Sequence, residues 1–265
     1  MDRSRRLRQA DLSMGIRTAP RSRGVPAIQS RAPSASDPVE RAAEPAAPRS
    51  IAAARPVARR AFTAPIGDRG EALEALRILH DAECPHCTTA RGHTHTVFGE
   101  GSPSARLMFI GEAPGEQEDL SGRPFVGRAG EKLDEMISAM GLSREQVYIA
   151  NVLKSRPPDN RTPLQHEVDG CGPFLMEQIR IIRPEVIVTL GGPATKLLLA
   201  TEEGITRLRG IWASWTDPAG EFGPIAVMPT YHPAYLLRNY TLKTRGEVWA
   251  DLKAVVGRLA QAGTI

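Results

Sequence analysis

Three short stretches carry side chains able to do chemistry. The first is GEAPGEQEDLSGRPFVGRAG, Gly111 to Gly130, which sets Glu112, Glu116, Glu118, Asp119 and Phe125 among glycines. Glycine lets backbone approach a ligand closely. The composition suits a pocket that grips a flat polar molecule with backbone amides, a carboxylate and an aromatic face. A phosphate-binding turn fits poorly, because GEAPG departs from G-x-G-x-x-G and the carboxylates would repel a pyrophosphate. The second stretch is NVLKSRPPDNRTP, Asn151 to Pro163. Asn151 offers both a carbonyl acceptor and an amide donor, which equips it to read a base edge or to bond local backbone. Arg156 and Arg161 suit phosphates or solvent. The third is TYHPAYLLRN, where His232 precedes Pro233. The fixed proline backbone helps hold an imidazole in place. Tyr235, Leu236 and Leu237 follow as an apolar tip with Arg238 behind it; such a tip wedges between stacked bases or simply starts a core helix.

These stretches need a scaffold that brings them together. Apolar runs predict buried strands at Arg106–Ile110, Gln146–Val152, Glu185–Leu190 and Ile225–Pro229. Helical spacing predicts helices at Glu131–Met140, Pro163–Ile182, Pro193–Ala200 and Arg245–Gln261, with a further short one over 71–80. Thr162, Pro163 and Gln165 read as N-cap, N1 and N3 of the second. Gly170, Gly172 and Pro173 suggest a kink or break inside it. Alternating strands and helices imply a three-layer αβα domain around a four-stranded, mainly parallel sheet. All three chemistry-bearing loops follow predicted strands, and ligands of such sheets sit beyond the carboxyl ends of the strands. The loops should therefore meet at one edge.

The chain has 265 residues and a formal charge of +4, unevenly spread. Residues 1–60 hold thirteen Arg, no Lys and five acidic residues, a balance of +8, so the remainder stands at −4. Residues 1–65, rich in Ala, Pro and Arg, are expected to be a disordered basic extension, since they cannot bury enough surface to offset ordering entropy. Such an arm can hold nucleic acid loosely, or be a non-specific extension; its composition also fits an organellar transit peptide. Residues 66–265 form the expected folded domain. No secretory core and no run of eighteen apolar residues is present, so a soluble cytoplasmic protein without membrane contact is expected.

Taken in order, these motifs resemble the family 4 uracil-DNA glycosylases, the iron–sulfur branch of that superfamily. The resemblance runs from about Cys84 to Asp251. It is carried by GEAPG with GRPFVGRAG, by N-V-L-K-x-R-P-P-x-N-R-x-P, by LGGPAT at Leu190 to Thr195, and by YHPAYLLR. It implies a doubly wound α/β fold and removal of uracil from DNA to leave an abasic site. It implies that Phe125 stacks on the extruded uracil and that Asn151 bonds its polar edge. Gly111, Ala113 and the backbone around Glu112 would meet the base, Glu118 would act on or through a water near the sugar, and His232 would face the departing O2. Arg161, Tyr235, Leu236 and Arg238 are the candidate DNA contacts. Uracil-containing DNA is the expected partner of a monomer, with replication or repair proteins as further candidates. The loop KSRPPDNRTP has neither the insertion nor the histidine of the branch that traps DNA covalently, and no obvious lysine nucleophile for strand cleavage is present. The competing class is a catalytically weak iron–sulfur module that binds nucleic acid or senses damage.

The cysteines depart from the family. It uses four to hold a [4Fe–4S] cluster, and this chain has Cys84, Cys87 and Cys171 only. Ser155 stands where the third is expected. A cluster remains the expected cofactor, its fourth ligand being the Ser155 oxygen, an exogenous thiol or water, or a nitrogen of His86, His93 or His95; a labile three-iron form and a site without a cluster are the alternatives. Zinc also suits a C-x2-C clip but wants four ligands.

Overall fold

A computed structural model describes residues 68–218 and 220–261. The expected N-terminal extension, 1–65, lies outside the described residues. The elements are α1 (Arg69–Glu83), β1 (Glu100–Gly101), β2 (Leu107–Gly111), α2 (Glu116–Ser121), α3 (Arg128–Ala139), β3 (Tyr148–Asn151), α4 (Gln165–Ile182), β4 (Val186–Leu190), α5 (Gly192–Leu199), α6 (Ile205–Leu208), β5 (Ala213–Trp215), β6 (Ile225–Thr230), α7 (Pro233–Arg238) and α8 (Leu242–Gln261).

The sheet order is β1-β3-β2-β4-β6-β5. β3, β2, β4 and β6 are parallel, and β1 and β5 pair antiparallel at the two edges. The four expected parallel strands are therefore the centre of a six-stranded sheet. The edge strands span two and three residues, too short to leave a readable period in the sequence.

Side-chain alternation along the strands feeds two cores. Met108 and Ile110 of β2 join Leu76 of α1, Phe174 of α4 and Leu198 of α5 on one face. Leu107 and Phe109 join Met136 of α3, Leu236 of α7 and Trp249 of α8 on the other. This is the expected three-layer arrangement. From β2 the chain goes to β3 on one side and later to β4 on the other, so strand order reverses beside β2, the place where such sheets open a crevice.

Local expectations were corrected in three places. α4 is not capped by Thr162: Leu164 is its N-cap, and Glu167 accepts the Leu164 N–H at 2.7 Å. Thr162 lies too far upstream, because the helix begins only at Gln165, after an extended Leu164, and Glu167 supplies the acceptor. α4 also continues through Pro173; burial of Phe174, Leu175 and Ile179 outweighs the one backbone bond that proline removes. The long glycine-rich loop contains a helical turn of its own, α2.

Candidate active site and metal centre

β2 and β3 end in register, Gly111 opposite Asn151. β4 and β6 end with Leu190 opposite Thr230, two residues before His232. The three chemistry-bearing loops thus leave one edge of the sheet. Asn151 is buried, and its Oδ1 has no hydrogen-bond partner. A buried acceptor left unpaired costs about 1–3 kcal/mol, which makes this atom a candidate acceptor for a ligand's donor. Gly111 makes the space: a Cβ there would stand 2.3 Å from Asn151 Oδ1 and 2.4 Å from the Phe125 ring.

Phe125 is held in the left-handed region, φ 51°, a strained state for a bulky residue. The neighbouring chain imposes it. A Cβ on Gly130 would lie 1.9 Å from the Phe125 carbonyl, so only glycine lets α3 start this close. Arg144 locks the turn from outside the loop. Its guanidinium donates to the Phe125 carbonyl at 3.1 Å and to the Pro124 carbonyl, and pairs with Glu100 and Asp134, both at 2.7 Å. Arg144 was not among the expected site residues, because a side chain reaching carbonyls twenty residues back leaves no sequence pattern. Arg144→Ala should lower stability by about 2–3 kcal/mol, as expected for losing several charge-assisted bonds. It should also raise KM more than it lowers kcat, as the Phe125 turn relaxes. Denaturant unfolding and steady-state kinetics check both, and an unchanged KM would separate Arg144 from the pocket.

His232 is the N-cap of α7, and its Nδ1 accepts the Ala234 N–H at 3.1 Å. A neutral ring accepting at Nδ1 carries its proton on Nε2. Burial, with the Arg238 cation adding to it and Glu118 opposing, pushes its pKa down to about 4. The ring stands 5.6 Å from that of Phe125. The Glu112 carboxyl is pushed above its ordinary range by burial, while its carbonyl accepts the Leu153 N–H at 3.1 Å. Glu118 braces the loop: its carboxylate accepts the N–H groups of Val126 at 2.8 Å, Gly127 at 2.9 Å and Gly115 at 3.1 Å. Ala113 is half-buried beside the first core.

The candidate DNA contacts divide. Tyr235 is half-buried, its ring 4.6 Å from Tyr231, and Arg238 is exposed. Leu236, by contrast, is buried in the core, because the tip is the first turn of α7 and every third or fourth residue faces inward. Arg161 is held by Glu167, at 2.7 and 2.8 Å, and is not a free phosphate ligand.

Behind Asn151 lies a compact donor cluster. The ligating atoms of His80, Cys84, Cys87 and Cys171, all buried, lie within 4.8 Å of one another. This set is consistent with a metal or iron–sulfur site. None of the expected histidines joins it: His86 Nε2 bonds Ser155 Oγ at 3.1 Å, His95 bonds the Asp119 carbonyl at 2.9 Å, and His93 Nδ1 is unpartnered. His80 was not among the sequence candidates, which lie within or after the clip; its signal was His-x3-Cys at the end of a predicted helix, one turn apart. Lys154 connects the cluster to the pocket. It is fully buried, its N–H points at Cys171 Sγ at 3.1 Å, and its Nζ donates to the Asn151 carbonyl at 2.8 Å and to Gln178 at 2.6 Å. Burial lowers its pKa to about 8, against the pull of the three cysteines.

The uracil DNA glycosylase superfamily model matches residues 98–253. The type-4 uracil-DNA glycosylase of Thermotoga maritima is 43% identical over 193 residues, covering 72% of this chain and 97% of that protein. The chain belongs to the type-4 uracil-DNA glycosylases. The type-4 protein of Sulfurisphaera tokodaii is 47% identical over 165 residues, 60% of this chain and 74% of its own length. The type-5 glycosylase of Pyrobaculum aerophilum is more distant, at 28% over 214 residues, 69% of this chain and 92% of its own. Among the described residues, no helix is long and apolar enough to cross a membrane.

Proposed function

We propose that this chain hydrolyses the N-glycosidic bond of uracil in DNA, leaving an abasic site, with the roles below. The unpaired Asn151 Oδ1 is the observation that carries the reading. Uracil presents N3–H beside O4, so an amide accepting from the first and donating to the second matches it. Cytosine reverses both, presenting an acceptor at N3 and a donor at C4. Phe125 stacks on the extruded base, with Gly111, Ala113 and the Glu112 backbone closing around it. Extrusion costs a few kcal/mol of unstacking, which these contacts offset.

As the C1′–N1 bond breaks, positive charge grows on the sugar and negative charge on the base. Neutral His232, with its proton on Nε2, donates to the developing anion at O2. A fixed donor of this kind favours the transition state over the ground state. Three of roughly four acceptor positions of the Glu118 carboxylate are filled by backbone amides; the remaining one orients the water that adds to C1′, and its charge offsets the cationic sugar. The water oxygen bonds C1′, its proton passes to solvent or base, and N1 keeps the bonding electrons. Arg238 and Tyr235 meet the DNA beside the flipped nucleotide. A basic cleft of about 480 Å³, lined by residues including Arg91, Arg156 and His166, suits the phosphate backbone further along.

The metal centre is read as an iron–sulfur cluster, supported by three cysteines at type-4 positions. It ties α1 to the loop bearing Asn151 and supplies no step of the hydrolysis. One observation favours a single zinc ion instead. Cys87 and Cys171 sulfurs stand 3.6 Å apart, and a tetrahedral zinc with bonds of about 2.3 Å separates its sulfurs by about 3.8 Å. A cluster, with one iron per ligand, spreads its donors wider.

The test is release of uracil from a labelled single-uracil oligonucleotide by anaerobically purified protein, read by alkaline cleavage of the product. Release confirms the activity, and folded protein without release leaves a nucleic-acid-binding module. The depressed His232 pKa adds a pH signature. The unfolded imidazole titrates near 6.5 and the folded one near 4, so the unfolded state binds more protons between these values. The stability His232 contributes is complete above about pH 6.5 and lost as pH falls through 4. Denaturant midpoints of the parent should decline over that window more steeply than those of His232→Gln; parallel curves would contradict a neutral, half-buried ring.

A further inference from the structure

We propose that His80 Nε2, rather than residue 155, is the fourth ligand of the metal centre, and that Asp81 positions it. The inference rests on the reading that the centre holds a metal, and applies to a cluster and to zinc alike. α1 delivers the ring. His80 lies on the buried stripe with Ala72, Leu73 and Leu76, and one turn later the Cys84 N–H bonds the His80 carbonyl at 2.9 Å. The C-cap that ends the helix therefore also fixes the spacing between the imidazole and the first thiol. His80 Nε2 lies 4.0 Å from Cys171 Sγ, inside the same shell as the other two sulfurs.

The other ring nitrogen is already committed. His80 Nδ1 is 2.9 Å from Asp81 Oδ1. That carboxylate also accepts from Thr96 Oγ1 and from Arg77, both at 2.9 Å. An ionised carboxylate only accepts, so Nδ1 carries a proton toward Asp81 and Nε2 is the nitrogen left to face the thiols. A carboxylate behind a histidine is the usual arrangement of metal-ligating imidazoles. Phe174 meets the ring edge-on at 4.9 Å, and Phe98 lies at 5.7 Å. These contacts leave the ring little freedom to turn away.

Residue 155 is engaged elsewhere. Ser155 Oγ faces His86 Nε2 at 3.1 Å, so the hydroxyl has a partner that a thiolate ligand at this position would displace. The chain thus replaces a thiolate after Lys154 by an imidazole on α1, and the set becomes three sulfurs and one nitrogen. That exchange removes one negative charge from a site already sharing its surroundings with buried Lys154.

Full-length protein, purified anaerobically, would be assayed for iron, sulfide and zinc. The shell would then be read by pulsed electron paramagnetic resonance of the reduced cluster, or by X-ray absorption if zinc is found. The expected result is one nitrogen per centre, whose coupling changes when histidine is labelled with ¹⁵N. Ser155→Ala should keep metal content and nitrogen signal, and His80→Ala should lose the signal and most of the metal. The parent spectrum decides without relying on either variant to fold. A metal-loaded parent with no nitrogen in its shell would overturn the ligand assignment while leaving the metal reading intact. Folded protein that takes up neither zinc nor iron and sulfide would overturn the metal reading itself, and the assignment with it.

Discussion

His232→Ala should slow uracil release by about 10²–10³-fold under single-turnover conditions, the range for removing one preformed donor to a developing anion. The variant should still fold. Its loss to stability is mainly the cap bond from Ala234 N–H to Nδ1, and losing an N-cap costs about 1 kcal/mol. A large rate effect beside a small stability effect would locate the residue in the chemistry. His232→Asn keeps an oxygen able to cap α7 and an amide able to donate, so it should recover part of the rate. Parent-like release by His232→Ala would move the transition-state donor elsewhere and reduce the histidine to a helix cap.

Asn151→Ala should cut release by about 10²-fold or more, from the loss of two bonds to a buried ligand edge worth about 1.5 kcal/mol each. Its effect on stability should have the opposite character to that of most buried substitutions. Oδ1 has no partner in the free protein, so deleting it removes a desolvation penalty along with the side-chain packing. The unfolding midpoint should hold or rise while function falls. Strains of this kind persist where a ligand later relieves them. A large drop in midpoint with little change in release would assign Asn151 to the core and not to the base.

Much of this was readable before any coordinates. The four central strands announced themselves as apolar runs, and Gly111, Asn151 and His232 came to one edge because each follows the carboxyl end of a parallel strand. What the sequence hid is what depends on distant partners. Arg144 is an ordinary basic residue until it meets the carbonyls of Pro124 and Phe125. Leu236 reads equally as an exposed tip or the start of a core helix until α7 turns it into the second core. His80 reads as the end of an amphipathic helix, since the same burial that suits a core position suits a metal ligand. Glu118 reads as a catalytic carboxylate, whereas its three amide partners show it first as a brace for the loop.

The donor cluster has one more consequence, seen from the unfolded chain. A metal bound there would tie Cys87 to Cys171, 84 positions apart in sequence. Tying such distant points restricts the denatured ensemble much as a disulfide would, by about 4–5 kcal/mol for a loop of this length in the chain-entropy account. Unlike a disulfide, the tie is reversible by ligand exchange. Departure of such a metal would loosen the end of α1 against α4, although the two also pack through Leu76 and Phe174, and with it the loop that presents Asn151. The enzyme's lifetime would accordingly be governed by the off-rate of its metal rather than by the packing of its sheet.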